Sequence, residues 1–312
     1  MIEIFTALVP VFLIIAFGKL LEARQVLDAS TWENLEQLVF YILFPALLVV
    51  KIGGAEVPGA ELMPLFATLL TTSLVIWLVV SVARPGLKWD SRTFIAVVHG
   101  ALRPNSYIGL AAAFALYGEA GLTLAAVCIL AVIPLVNVLT VYSHHRWTED
   151  DTRPTEGPAK RAFKESSRNP IILACGVGAV LNLTGIGLPP LIGEALDILG
   201  RAALALGLLA VGAGLNLRSL RIASRPAAVA VAVKLAVTPV LAVIACGLFG
   251  VSGLAVSVAV LFAALPVSAS GYVIVKHMGG DGELMAAVVA LSTITAMATL
   301  PLVVWALGPV GT

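Results

Sequence analysis

The sequence predicts an all-α membrane protein of ten transmembrane helices. They are expected as two inverted five-helix repeats, with the fourth and ninth helices broken at prolines. Three observations carry that expectation. The 312 residues are 60% hydrophobic and 12% charged, about half the roughly 25% charged share of a soluble domain, so polar surface is too scarce to coat a globule in water. The apolar residues gather into ten runs of membrane-crossing length, and the two halves of the chain echo each other at one fixed shift.

The runs lie at 4–21, 32–51, 62–82, 93–116, 122–143, 169–186, 190–214, 226–249, 253–275 and 284–307. About 20 mostly apolar residues cross the roughly 30 Å of a bilayer core as a helix. The runs are apolar on all sides, whereas a barrel strand would alternate, so helices are expected. The opening stretch "MIEIFTALVPVFLIIAFGKL" has no basic residue ahead of it; Lys19 and Arg24 follow. It therefore reads as a retained first helix with an outward N-terminus and not as a signal peptide.

Basic residues alternate from loop to loop. Arg84, Lys88 and Arg92 join spans three and four; Arg218, Arg221 and Arg225 join seven and eight; Arg146, Arg153, Lys160, Arg161, Lys164 and Arg168 lie in the long polar stretch 144–168. The turns after spans four, six and eight carry no Lys or Arg. The rule that positive loops stay inside places both termini outside and makes 144–168 a cytoplasmic linker. His144–His145 reads as part of that solvated linker and not as a metal site. Cys128, Cys175 and Cys246 sit in apolar runs at unrelated spacings and read as small hydrophobic fillers. The near-neutral charge of +1, with no basic run interleaved with aromatics, points away from nucleic acid.

The linker separates repeat 1–143 from repeat 169–312. At a shift of 161, "YGEAGLTLAAV" (117–127) overlays "MGGDGELMAAV" (278–288), Glu33 falls on Glu194, Glu36 on Asp197 and Asn105 on Pro266. Five spans is an odd number, so the second half enters from the opposite side. Such inverted repeats characterise secondary transporters, whose sites lie where broken helices meet near the midplane. The paired acids read as first-turn residues suited to a helix dipole, with Ser30-x-x-Glu33 as a capping box.

Span four contains Pro104 and span nine Pro266, each near mid-span. Proline removes a backbone donor and interrupts the helix, and in lipid the freed groups must be buried or line a cavity. Ser106 follows the first break; Val267, Ser268, Ser270 and Gly271 follow the second. The half-helices beginning there aim free N–H groups at one point, which suits an anion. Asn105 is the leading substrate contact, and Arg103 adds a guanidinium able to fork onto a carboxylate, directly or from behind other groups. His99, one helical turn before Arg103, together with Lys234 and Lys276, are candidate proton or coupling groups. No Asp or Glu lies near either break in sequence, which favours proton coupling or uniport over a dedicated sodium site. No cofactor or metal ligand set is evident, and neither H-E-x-x-H nor G-x-S-x-G occurs, so no enzyme is expected.

The stretch "LVPVFLIIAFGKLLEARQVLDASTWENLEQLVFYILFPALLV" resembles the opening of the auxin efflux carrier family, which includes bacterial malonate-type carriers and plant PIN-formed auxin exporters. So do "RPNSYIGLAAAFALYGEAG", "RNPIILACGVGAVLNLTGIGLPP", "LALGLLAVGAGLNL", "VKLAVTPVLAVI" and "AALPVSASGYVIVKHMGGD", in order over nearly the whole chain. The resemblance implies a scaffold and dimer domain from 1–58 and 169–217, with a homodimer through spans two and seven. It implies a mobile transport domain from 59–143 and 222–308, whose fourth and ninth helices cross at Pro104 and Pro266, with Asn105 as the binding asparagine. It further implies elevator-type transport of an organic anion, auxin-like or malonate-like, across the inner membrane. The alternative is a sodium-coupled organic anion symporter of the related bile-acid type. This chain departs from the family in having Arg103 before the Pro-Asn pair, and Gly109-Leu110-Ala111 where a Gly-x-Pro is common.

Overall fold

The structure is a computed structural model that describes residues 2–56, 59–148, 157–222 and 224–308. Arg153 of the linker lies outside the described residues. These residues are helical throughout, with no strand beyond one isolated bridge. The helices are α1 (Ile2–Ala23), α2 (Ala29–Gly53), α3 (Gly59–Leu87), α4 (Ser91–Leu102), α5 (Ser106–Trp147) and α6 (Pro158–Ser166). There follow α7 (Pro170–Thr184), α8 (Pro190–Ala213), α9 (Arg225–Phe249), α10 (Leu254–Ala263), α11 (Ser270–His277) and α12 (Gly282–Ala306). A 3-10 segment, Leu217–Ile222, follows α8.

Seven of these, α1, α2, α3, α5, α8, α9 and α12, are long and apolar enough to cross a membrane, where ten spans were expected. The difference has a local cause. The prolines divide spans four and nine into half-helices, so α4 and α10 have only 12 and 10 residues. The expected fourth and fifth spans also run together within the 42 residues of α5, turning at Gly118 with φ 62° and ψ −149°. Only a glycine adopts that backbone without strain. Span six is represented by α7, with 15 residues.

Of the other prolines inside long helices, two follow a π turn. Pro45 follows a π turn at Val39–Leu43 in α2, and Pro239 follows one at Val233–Val237 in α9. A wider turn just before each proline accommodates the lost i→i−4 bond.

Several local expectations are corrected. The cap of α2 is Asp28, whose carboxylate accepts from the Thr31 N–H at 2.9 Å, and not Ser30. Hydrogen bonds from Thr31 hold the Asp28 carboxyl below its ordinary range. Neither α2 nor α8 has an acid in its first turn, so the helix dipole does not account for Glu36 or Asp197. The linker is not wholly irregular. Residues 144–147 complete α5, and α6 forms at Pro158–Ser166. His144 is consequently buried in a helix, bonded to the Thr148 hydroxyl, and not solvated in a loop. All three cysteines are free and buried, as fillers should be.

The helices pack closely where glycine permits it. Along the α1–α8 contact, a methyl group on Gly18 would strike the Leu209 carbonyl, and one on Gly212 would strike the Ile15 carbonyl. Backbone cannot rotate out of the way as a flexible side chain can. Gly212→Ala is therefore expected to lower stability by about 1–3 kcal/mol, read as a drop in melting temperature of the purified protein. An unchanged melting temperature would show that the two helices can separate freely.

Candidate functional site

The site begins with Asp90, which caps α4 by accepting from the Thr93 N–H at 3.0 Å. The helix runs to Leu102 and stops because Pro104 disfavours helical geometry in the residue before it; Arg103 is extended, at φ −81° and ψ 107°. Asn105 then caps the next helix, its Oδ1 accepting from the Ile108 N–H at 3.2 Å. In the second half, α10 ends at Ala263 and α11 starts at Ser270, leaving Pro266 and Val267 between them.

These two breaks lie side by side and antiparallel, with Pro104 bridged to Val267. The Asn105 N–H donates to the Pro266 carbonyl at 2.8 Å, and the Ser268 N–H donates to the Arg103 carbonyl at 3.2 Å. The Val267 N–H donates to the Ser292 hydroxyl of α12 at 3.1 Å. Backbone groups exposed by one broken helix are thus satisfied by the other, as an apolar interior demands. Asn105 itself is 1% exposed, and its Nδ2 has no partner among the described residues.

A cavity of about 250 Å³ lies beside the crossing. Ser268 and Ser270 form one wall, their hydroxyls 2.9 Å apart. The N-terminus of α11 reaches the same wall and has no side-chain cap. Glu36 of α2, Asn216 beyond α8, Tyr107 of α5 and Tyr272 of α11 also line the space. Tyr107 is seated by an edge-to-face contact with Phe44, centroids 4.8 Å apart, and by Gly207, where a methyl group would come within 2.9 Å of the ring. A wider recess of about 1050 Å³, with Lys19, Glu22 and Arg218 in its wall, shares Gly214 and Asn216 with the cavity.

Of the residues singled out from sequence, the structure brings Ser268 and Ser270 to this cavity. Pro104 and Lys234 instead border a void of about 20 Å³, room for about one water. Ser106 starts α5 next to its cap, and Pro266 and Val267 are buried in the crossing. Arg103 turns toward α5: its Nη2 donates to Asn137 Oδ1 at 2.8 Å and to Thr140 Oγ1 at 3.3 Å. Its Nε donates to His99 Nδ1 at 3.2 Å, so His99, wholly buried, is its acceptor. Lys234 donates from Nζ to the Ala263 carbonyl at 3.1 Å, at the last residue of α10. Lys276 is exposed, its ammonium 5.8 Å from the centre of the Tyr272 ring.

Sequence reasoning found no acid near either break, and the structure corrects this: Glu36 arrives from another helix. Its signal was present, since an acid inside a run of membrane-crossing length is costly and usually has a purpose. Tyr107 and Asn216 carried no comparable signal.

Residues 3–304 match the model of the membrane transport protein family. The chain is also 24% identical, over 94% of its own length and 94% of the relative's, to an uncharacterized transporter of Methanothermobacter thermautotrophicus. Helices fit to cross a bilayer, broken in pairs beside a polar cavity, agree with that match. The chain belongs to the membrane transport protein family, the auxin efflux carrier family whose motifs its sequence resembles.

Proposed function

We propose that this protein is a secondary transporter that carries small organic carboxylate anions through the inner membrane by elevator-type alternating access. The observation that carries the reading is the cavity beside the crossed breaks, with its paired serine hydroxyls and the uncapped N-terminus of α11. Hydroxyls and unbonded N–H groups are what a carboxylate needs in place of water. In the first turn of α11 the Gly271 and Tyr272 N–H groups already donate to the Ser268 and Ala269 carbonyls, which leaves the hydroxyls as the main donors. Asn105 presents an unpartnered buried amide close by in the chain.

Ten spans in two inverted repeats remain the architecture of this reading. Helix starts at Ala29 and Pro190, and half-helix ends at Leu102 and Ala263, are each 161 residues apart (29 to 190, 102 to 263). Gly118 and Gly279, the same distance apart, both have positive φ. In this arrangement the cavity opens toward the cytoplasm, since Glu36 and Asn216 follow the inner ends of spans one and seven. Coupling is to a proton or absent, and the scaffold pairs two copies through spans two and seven.

On the opposite side, Lys51 of α2 bonds to Glu119 of α5 at 2.9 Å and lies 3.4 Å from Asp197 of α8. This links the proposed scaffold to the proposed moving domain and closes the outer end. The role of Arg103 is to anchor α4 to α5 behind the site, without touching substrate, because neutral acceptors occupy its Nε and Nη2.

Three expected outcomes test this reading. Asn105→Ala and Ser268→Ala should each weaken binding of malonate or indole-3-acetate about tenfold or more, the range of a hydrogen bond to a charged group, measured by ligand-induced thermal shift. A carboxylate that binds equally well to both variants contradicts the site. Arg103→Ala should lower the melting temperature while leaving the affinity of the folded fraction nearly unchanged; loss of affinity at full stability would make Arg103 a direct ligand. Cysteines at positions 51 and 119, joined by a cleavable thiol-reactive linker in proteoliposomes, should stop transport until the linker is cut. The three native cysteines are buried. Undiminished transport at complete cross-linking would exclude movement between the two domains.

A further inference from the structure

The cavity has an acid and no base. Among the described residues, Glu36 is the one charged side chain in its wall, and it makes no ion pair with another of them. The groups around it are neutral or negative. Glu33 shares its helix, Asn216 follows α8, Tyr107 comes from α5, and Ser268, Ser270 and Tyr272 come from the second break and α11. Bases stand near the lining without being part of it: Lys276 holds its ammonium 5.8 Å from the centre of the Tyr272 ring, and in the wider recess Lys19 is bound to Glu22 at 2.7 Å while Arg218 stands in the wall. Its counterpart at the shift of 161, Asp197, is treated differently: Arg201 binds it at 2.7 Å and Lys51 lies 3.4 Å away.

A simple carboxylate bound at Ser268 and Ser270 would share a cavity of about 250 Å³ with the Glu36 carboxylate, with no cation among its described lining residues. Like charges in so small a space repel, though less than in a dry interior because Glu36 is exposed and water screens it. The repulsion disappears if the ligand supplies the cation itself. Tyr107 and Tyr272 in the same lining add ring faces that attract an ammonium group, and the Tyr272 ring already has that of Lys276 at 5.8 Å. Part of the lining therefore suits a carboxylate, and Glu36 suits a cation.

We propose that the substrate is zwitterionic, a small amino acid or similar carboxylate bearing an ammonium group. Its carboxylate lies against Ser268, Ser270 and the start of α11, and its ammonium lies against Glu36. The proposal rests on the reading of this cavity as the transport site for organic carboxylates and names the class more narrowly. Glu36 is then the residue that sets specificity, because it favours a ligand with its own positive charge over the same carbon skeleton without one.

The test is equilibrium binding to the full-length protein in lipid nanodiscs, using the standard amino acids, each paired with the carboxylate that lacks its amino group. The wild-type protein should prefer at least one amino acid over its deaminated partner by about tenfold or more. Glu36→Gln should remove that preference, by weakening the amino acid and not the partner. Ser268→Ala should weaken both members of a pair. If deaminated carboxylates bind the wild-type protein as well as the amino acids do and remain sensitive to Ser268→Ala, the transport site stands and the zwitterion proposal fails. It fails equally if they bind only at acidic pH, because a proton then neutralises Glu36. If no member of either series binds, or Ser268→Ala changes nothing, the site reading itself fails and takes the proposal with it.

Discussion

Two prolines inside an apolar interior leave backbone groups that water cannot reach, and the rest of the structure follows from how those groups are satisfied. Each unpaired group would cost on the order of 1–3 kcal/mol. Here the break after α4 and the break after α10 bond to each other, through Asn105 N–H to Pro266 and Ser268 N–H to Arg103. Ser292 of α12 takes up the remaining Val267 donor. A broken helix is unsatisfied alone, so each half of the chain completes the other. The requirement fixes where the halves meet, and the polar cavity lies at that meeting point.

The same crossing determines what the buried cations do. A half-helix ending inside the protein presents carbonyls and partial negative charge. Lys234 meets that charge at the end of α10 by bonding to Ala263. Arg103 stands at the end of α4 and is held by His99, Asn137 and Thr140. Both cations are therefore occupied by the protein itself. The cavity is left with hydroxyls, an uncapped helix start, two tyrosines and the Glu36 carboxylate, a mixed wall instead of a cationic one.

Much of this was legible in the sequence, because it depends on local rules. Apolar runs and prolines mark helices and their breaks, and Pro104, Asn105, Pro266 and Ser268 were found that way. Side-chain partners across the fold were not legible. Arg103 in a membrane span suggested an anion, but its direction is set by Asn137 and Thr140, more than thirty residues along the chain. Glu36 was visible as a paired acid and was assigned to a helix dipole, yet α2 begins at Ala29, placing it beyond the first turn. The cap at Asp28 moves the helix start two residues earlier, which takes Glu33 out of the first turn as well. Gly118 was not singled out as a turn, yet its non-helical backbone interrupts α5 between the residues expected as the fourth and fifth spans.

The measurement that bears most directly on the central claim is a structure of the protein in lipid with a saturating organic carboxylate. The account predicts ligand density within the cavity, its carboxylate against Ser268, Ser270 and the first turn of α11. Density at another place, with this cavity empty, would contradict it.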